Sequence, residues 1–206
     1  MKKELIVGIL FFSGLWGVSE AVLGEALYKA DVAHASVVLT VIALIVLTFA
    51  NVYFPQKGTA TAIAACAMLY KFLNAPFFAC HLLGIFLVGL CYDTALNVAK
   101  IKNRVISAIA TVYVSYALFA LMMTYVARYE YWVQGGLGKV LSHVGVSGTI
   151  AAVACAVVVP LSGRIAEGLK QSSAMPFGLR WRLVPGGVSL LTVGLWIFGL
   201  GVYLLS

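Results

Sequence analysis

Residues 33–53 read AHASVVLTVIALIVLTFANVY. No Asp, Glu, Lys or Arg interrupts them. A helix of this length advances roughly 30 Å, the thickness of a bilayer's hydrocarbon core, which about 20 mostly apolar residues can cross. The stretch therefore reads as a membrane span. Outward from it, similar runs lie at about 4–28, 59–74, 80–98, 105–127, 144–163 and 184–205. The third is short, contains Lys71, and is followed by Asn74-Ala75-Pro76, which breaks a helix because proline disfavours a helical residue before it.

Composition supports this reading along the whole chain. Of 206 residues, 63% are hydrophobic and 10% charged, against about 25% charged in soluble domains. The mean hydropathy is +1.03. A soluble core cannot absorb that excess, whereas a bilayer can. The expected fold is all-α: a polytopic membrane helical bundle of six core transmembrane helices plus a seventh at the C-terminus. Residues 1–166 form the six-helix core, 167–183 a cytoplasmic linker and 184–206 the additional transmembrane helix. Met1-Lys2-Lys3 with Ser19-Glu20-Ala21 imitates a signal peptide. The apolar run continues past that site to Leu27, so the first span is read as retained.

Charge sets the orientation. With the N-terminus in the cytoplasm, ten of the 14 basic residues fall inside and four outside, the bias that positive-inside sorting produces. The C-terminus of a seven-span chain is then external, in a multi-pass protein of the cytoplasmic membrane. The net charge of +7 sits at span ends, where lipid headgroups account for it. No basic stripe interleaved with aromatics points to nucleic acid. The four cysteines are scattered, without a Cys-x-x-Cys pair, so neither a disulfide framework nor a zinc knuckle is indicated.

The polar residues inside or beside the spans are the candidates for chemistry. Carboxylates within spans are costly, so they face protein or water and mark function or a polar network. Glu20 and Glu25 lie in span one, with Glu25 four residues before Lys29 and in reach of an ion pair. Asp93 and Asn97 lie in span four, where they either carry ions or protons or pin the helix register. Gly14, Gly17, Ala21 and Gly24 make a small-residue ridge that lets a second helix approach closely, from this chain or another subunit. On this threading His34, His81 and His143 all fall at the outer side. Neutral imidazoles ligate transition metals, so the three are a candidate metal set. The loop 128–143, with Tyr131, Trp132, Gln134 and three glycines, is expected to be a mobile outer flap or an interfacial aromatic belt. No nucleophile elbow, metalloprotease pair, P-loop or dinucleotide fingerprint occurs, so no enzyme activity is expected and ATP would have to be used by a partner.

By size, topology, the small-residue first helix (Gly14, Gly17, Ala21, Gly24) and the glycine-rich aromatic loop between spans five and six, residues 1–166 resemble the substrate-binding S components of energy-coupling factor (ECF) transporters. The seventh span is additional to that family's six. The resemblance implies a micronutrient importer subunit that binds a vitamin or transition metal in its outer half. His34, Asn74, His81, Tyr131, Trp132 and Gln134 would frame the ligand. Gly17 and Ala21 would face a transmembrane coupling subunit that works with partner ATPases. Two other readings stand beside it. One is a subunit or anchor of a membrane redox complex holding haem or quinone through histidines. The other is a lipid-acting membrane enzyme using Glu20 and Asp93.

Overall fold

The computed structural model describes residues 2–73, 79–171, 193–198 and 201. These residues are helical throughout, joined by short turns. The first span is one rod in three parts: α1 (Lys2–Val18), a π-helical turn at Ser19–Leu23, and α2 (Gly24–Lys29). Then come α3 (Ala35–Tyr53), and α4 (Thr59–Ala67), which tightens into a 3-10 turn at Met68–Leu73. Next is α5 (Ala79–Asn97), followed by α6 (Arg104–Leu121), extended by a π turn at Met122–Val126. The chain continues through α7 (Glu130–Ser142), a π turn at His143–Ser147 and α8 (Gly148–Gln171). Among the described residues, five helical runs are long and apolar enough to cross a membrane, and Thr59–Phe72 is a shorter apolar helix.

Packing closes these rods into a ring. Neighbours run α1, α4, α5, α6, α8, α3 and back to α1. Trp16, Leu44, Leu47, Ile63, Val112 and Cys155 are buried along its axis. The outside is apolar too. On α8 the residues Val153, Val157, Leu161, Ile165 and Leu169 recur every four positions and are all exposed, a continuous apolar stripe that water would not tolerate and lipid would. Buried hydroxyls are held by their own helices: Thr48 donates to the Leu44 carbonyl at 2.6 Å and Thr111 to Ser107 at 2.7 Å.

The helix starts explain the register. The Asn103 side chain accepts from the amides of Val105 (2.9 Å) and Ile106 (3.2 Å), an N-cap for α6. The start of α4 is capped from another helix. Asp93 on α5 accepts from the Gly58 amide (3.1 Å), the Thr61 amide (3.2 Å) and the Thr61 hydroxyl (3.0 Å), while Asn97 holds the same carboxylate at 2.6 Å. Gly89 makes room for this, because a Cβ there would stand 2.3 Å from the Ala64 Cβ. These hydrogen bonds give Asp93 and Asn97 a structural role: they pin α5 to the head of α4.

Two expectations are corrected. The segment 128–143 is not an irregular loop, because residues 130–142 form α7. Its glycines do not melt it: only Gly136 leaves helical geometry, at φ 52 and ψ −149, where the helix kinks. The small-residue ridge of helix one does not face outward. A Cβ on Gly17 would lie 2.2 Å from the Tyr70 ring, and one on Gly14 would lie 3.3 Å from the Tyr70 hydroxyl and 3.2 Å from Leu195. Ala21 is buried, and Gly24 sits under Lys71. The close partner of this ridge is the chain's own 3-10 turn, with Trp196 from the helical residues 193–198 against Tyr70 at 4.2 Å, the rings tilted by 41°. Residues 167–171 of the expected linker belong to α8. The rest of the linker, Asn74, and most of the expected seventh span lie outside the described residues.

Candidate functional site

The chain alternates between two ends of the ring. At one end Arg104 of α6 makes a bidentate ion pair with Glu167 of α8, and Lys170 donates to the Val52 carbonyl at 2.6 Å. At the other end the Nδ1 of His34 meets the Ser147 hydroxyl at 2.9 Å, and Tyr28 lies edge-on to His81 at 5.8 Å. Between this second end and the middle of the ring lies a chamber of about 170 Å³. That is slightly larger than the engineered apolar cavity of about 150 Å³ that admits benzene.

One wall is the π turn of the first span. There the Gly24 amide, which would bond the Glu20 carbonyl in a regular helix, is turned back to the Ser19 carbonyl. The Glu20 carbonyl accepts instead from Nζ of Lys71 at 2.5 Å. The Glu20 carboxylate takes a hydrogen bond from the Trp16 indole at 3.2 Å on one oxygen. Its other oxygen stands 3.7 Å from Nζ of Lys71, an ion pair too long for a hydrogen bond. Both side chains are more than nine-tenths buried. Single-turn π segments recur at functional sites because they re-aim backbone and side chain together.

Lys71 reaches that depth because its helix is short. Nine α-helical residues and six in a tighter 3-10 turn advance roughly 25 Å, less than the ~30 Å of a hydrocarbon core. The described part of this helix runs to Leu73, and its 3-10 turn carries the lysine to Glu20.

The opposite wall comes from α3, α5 and α6. Thr40 and Tyr116 share a hydrogen bond of 3.1 Å across it. His143 closes one side, stacked on Tyr116 at 4.8 Å and 14° and edge-on to Trp132 at 5.1 Å. Phe119 packs T-shaped on Trp132 at 5.5 Å.

The residues picked out from sequence part company here. His81 and His143 line the chamber, as does Glu20. His34 is exposed and held by Ser147, and it is not part of the lining. Trp132 is buried behind His143 with Met123 and Val140, not outside the apolar core. Tyr131 is turned outward under Lys139, whose Nζ lies 2.7 Å from the ring centroid. Gln134 is spent on Glu130 at 3.0 Å. Glu25 pairs with Lys29 at 2.7 Å, one turn on. Asp93 and Asn97 are at the other end, beside a crevice of about 10 Å³, no larger than one water. Among the described residues, no three His, Cys, Asp or Glu side chains gather as a metal site.

The residues missed from sequence are Lys71, Trp16, Thr40 and Tyr116. The available signal was one acid and one base in neighbouring spans, Glu20 and Lys71, each costly alone and affordable only as a pair. Comparison with protein-family models, with curated proteins and with solved structures finds no match for this chain.

Proposed function

We propose that the protein is a membrane-embedded substrate-binding subunit of a micronutrient importer, energised by a partner ATPase module. The observation that carries this reading is the chamber: a small, ring-lined hollow toward one end of the bundle, with a charged anchor in Glu20 and Lys71. An apolar pocket with a few convergent polar groups is what a small-molecule site requires. A capture subunit needs such a hollow open toward one side only. The chain itself carries no phosphate-cradling motif, so active transport needs an ATPase from elsewhere.

The cargo that fits is organic. His34, His81 and His143 engage Ser147, Tyr28 and Tyr116 separately, which gives a transition metal no common centre. Haem is also disfavoured, because a four-ring macrocycle is larger than a chamber of about 170 Å³. A coupling subunit would dock elsewhere than Gly14 and Gly17, whose face Tyr70 already fills.

The test is purification at native abundance in mild detergent, with mass spectrometry of released small molecules and of associated proteins. The expected result is one retained organic compound and a co-purifying ATPase. Stoichiometric haem with a Soret band would overturn the reading and install the redox anchor. Recovery of the chain alone and empty, with unchanged micronutrient uptake in a deletion strain, would remove it altogether.

A further inference from the structure

We infer that the chamber takes a flat, net-uncharged ring molecule whose amide-type edge bridges Lys71 and Glu20; this rests on the substrate-binding reading above and names its substrate class. The size is set by the space of about 170 Å³, one ring or a compact fused pair on the scale of known apolar cavities. Flatness follows from the walls. Trp16, Tyr28, His81, Tyr116, Phe119 and His143 all present rings to the hollow, and aromatic surfaces are best satisfied by stacked or edge-on rings.

The edge follows from the ion pair. An ammonium has three N–H donors, and the 2.5 Å bond to the Glu20 carbonyl occupies one of them. One carboxylate oxygen is bonded by Trp16. The other oxygen and Nζ stand 3.7 Å apart, too far to satisfy each other and near enough for one planar group to bridge. That group must offer an acceptor to the ammonium and a donor to the carboxylate, as an amide or lactam edge does.

Net charge is decided by balance. Glu20 and Lys71 already neutralise each other, and Glu25 and Lys29 are paired at 2.7 Å. An anion or cation brought into this wall would lack a counter-charge, and an uncompensated buried charge is strongly disfavoured.

The experiment measures binding of four probes of one ring size to the purified native protein: benzamide, benzoate, benzylamine and benzene. Each is followed by isothermal titration and by the shift in thermal unfolding. Two variants accompany them. Glu20→Gln/Lys71→Met removes both charges at similar volume. Gly84→Leu fills the hollow, because among the described residues a Cβ at Gly84 meets only Phe119, at an ordinary 3.7 Å. The expected result is that benzamide binds best. It should lose about tenfold in the double variant, the worth of one charge-assisted hydrogen bond, and bind undetectably in Gly84→Leu. If the double variant does not fold, the ranking of the four probes on the native protein decides. Preference for benzoate, benzylamine or benzene, abolished by Gly84→Leu, would overturn the uncharged amide edge while leaving a ligand chamber in place. Absence of binding by every probe, or binding that survives Gly84→Leu, would overturn the chamber and the substrate-binding reading with it.

Discussion

At the scale of single residues, the most consequential contact is between a glycine and a ring. Tyr70 is fully buried and packs where a side chain on Gly17 would be. Gly17→Ala forces that ring or the backbone aside, an overpacking cost of about 1–3 kcal/mol, and thermal unfolding in detergent should show it as a clear loss. The Tyr70 hydroxyl is itself buried with no hydrogen-bond partner among the described residues. Such a group carries its desolvation cost uncompensated, so Tyr70→Phe should leave the unfolding temperature unchanged or raise it. A marked loss in Tyr70→Phe would mean that the hydroxyl has a partner and that the packing account is incomplete. The pattern Gly17-x-x-x-Ala21 announced a close approach in the sequence, but not whose approach it was. Small residues state how near a neighbour comes, while its identity depends on where another helix happens to stop. Glu20 was legible for a similar reason and to a similar extent: its cost in a span demanded a partner, and only the short α4 determined that the partner would be Lys71.

At the scale of elements, the spans were legible because a bilayer imposes one length and one composition on each of them. Residues 33–53 begin two residues before α3 and end with it. The segment 128–143 reads as a loop in the sequence because Gly135, Gly136 and Gly138 look like a breaker cluster; Gly136 does break the helix, but helical pieces form on both sides of it, since a helix tolerates other glycines at about 1 kcal/mol each when its remaining side chains pack. Trp132 and Val140 supply that packing by docking on Phe119 and Val144. Irregular turns were illegible altogether, since π and 3-10 segments such as Ser19–Leu23 and Met68–Leu73 arise from tertiary demands on a sequence that reads as plain helix. Two glycines of α7, Gly136 and Gly138, give a paired test. Gly136 sits at φ 52 and ψ −149, a region open to glycine alone, so Gly136→Ala should cost about 1–3 kcal/mol. A Cβ on Gly138 meets nothing within 4 Å and its backbone is helical, so Gly138→Ala should gain about 0.5–1 kcal/mol. Equal effects at the two positions, in thermal unfolding of the purified variants, would mean that α7 is not kinked where the geometry puts the kink.

At the scale of the whole molecule, two ends are distinguished by contacts and by charge, and the two distinctions agree. The end that joins α3 to α4, α5 to α6 and closes α8 carries Lys57, Lys100, Lys102, Arg104, Arg164 and Lys170. The chamber end carries Lys29, Arg128 and Lys139, with Lys71 drawn inward onto Glu20. If positive charge sorts the ends, the first end is expected in the cytoplasm and the chamber end outside, the side that the proposed uptake would need. The packing of the described residues fixes which segments share an end, and labelling from one side measures which way that end faces. Gln134 is exposed on α7 and Lys102 is exposed between α5 and α6. In intact cells, a membrane-impermeant maleimide should label Gln134→Cys directly and Lys102→Cys only after permeabilisation. The native protein serves as the blank, because its four cysteines are buried or half-buried. Labelling in the opposite order would turn the chamber to the cytoplasm. The bundle and its ion pair would be unaffected, but a hollow open to the inside captures nothing from the medium, and import would give way to a role on the cytoplasmic side.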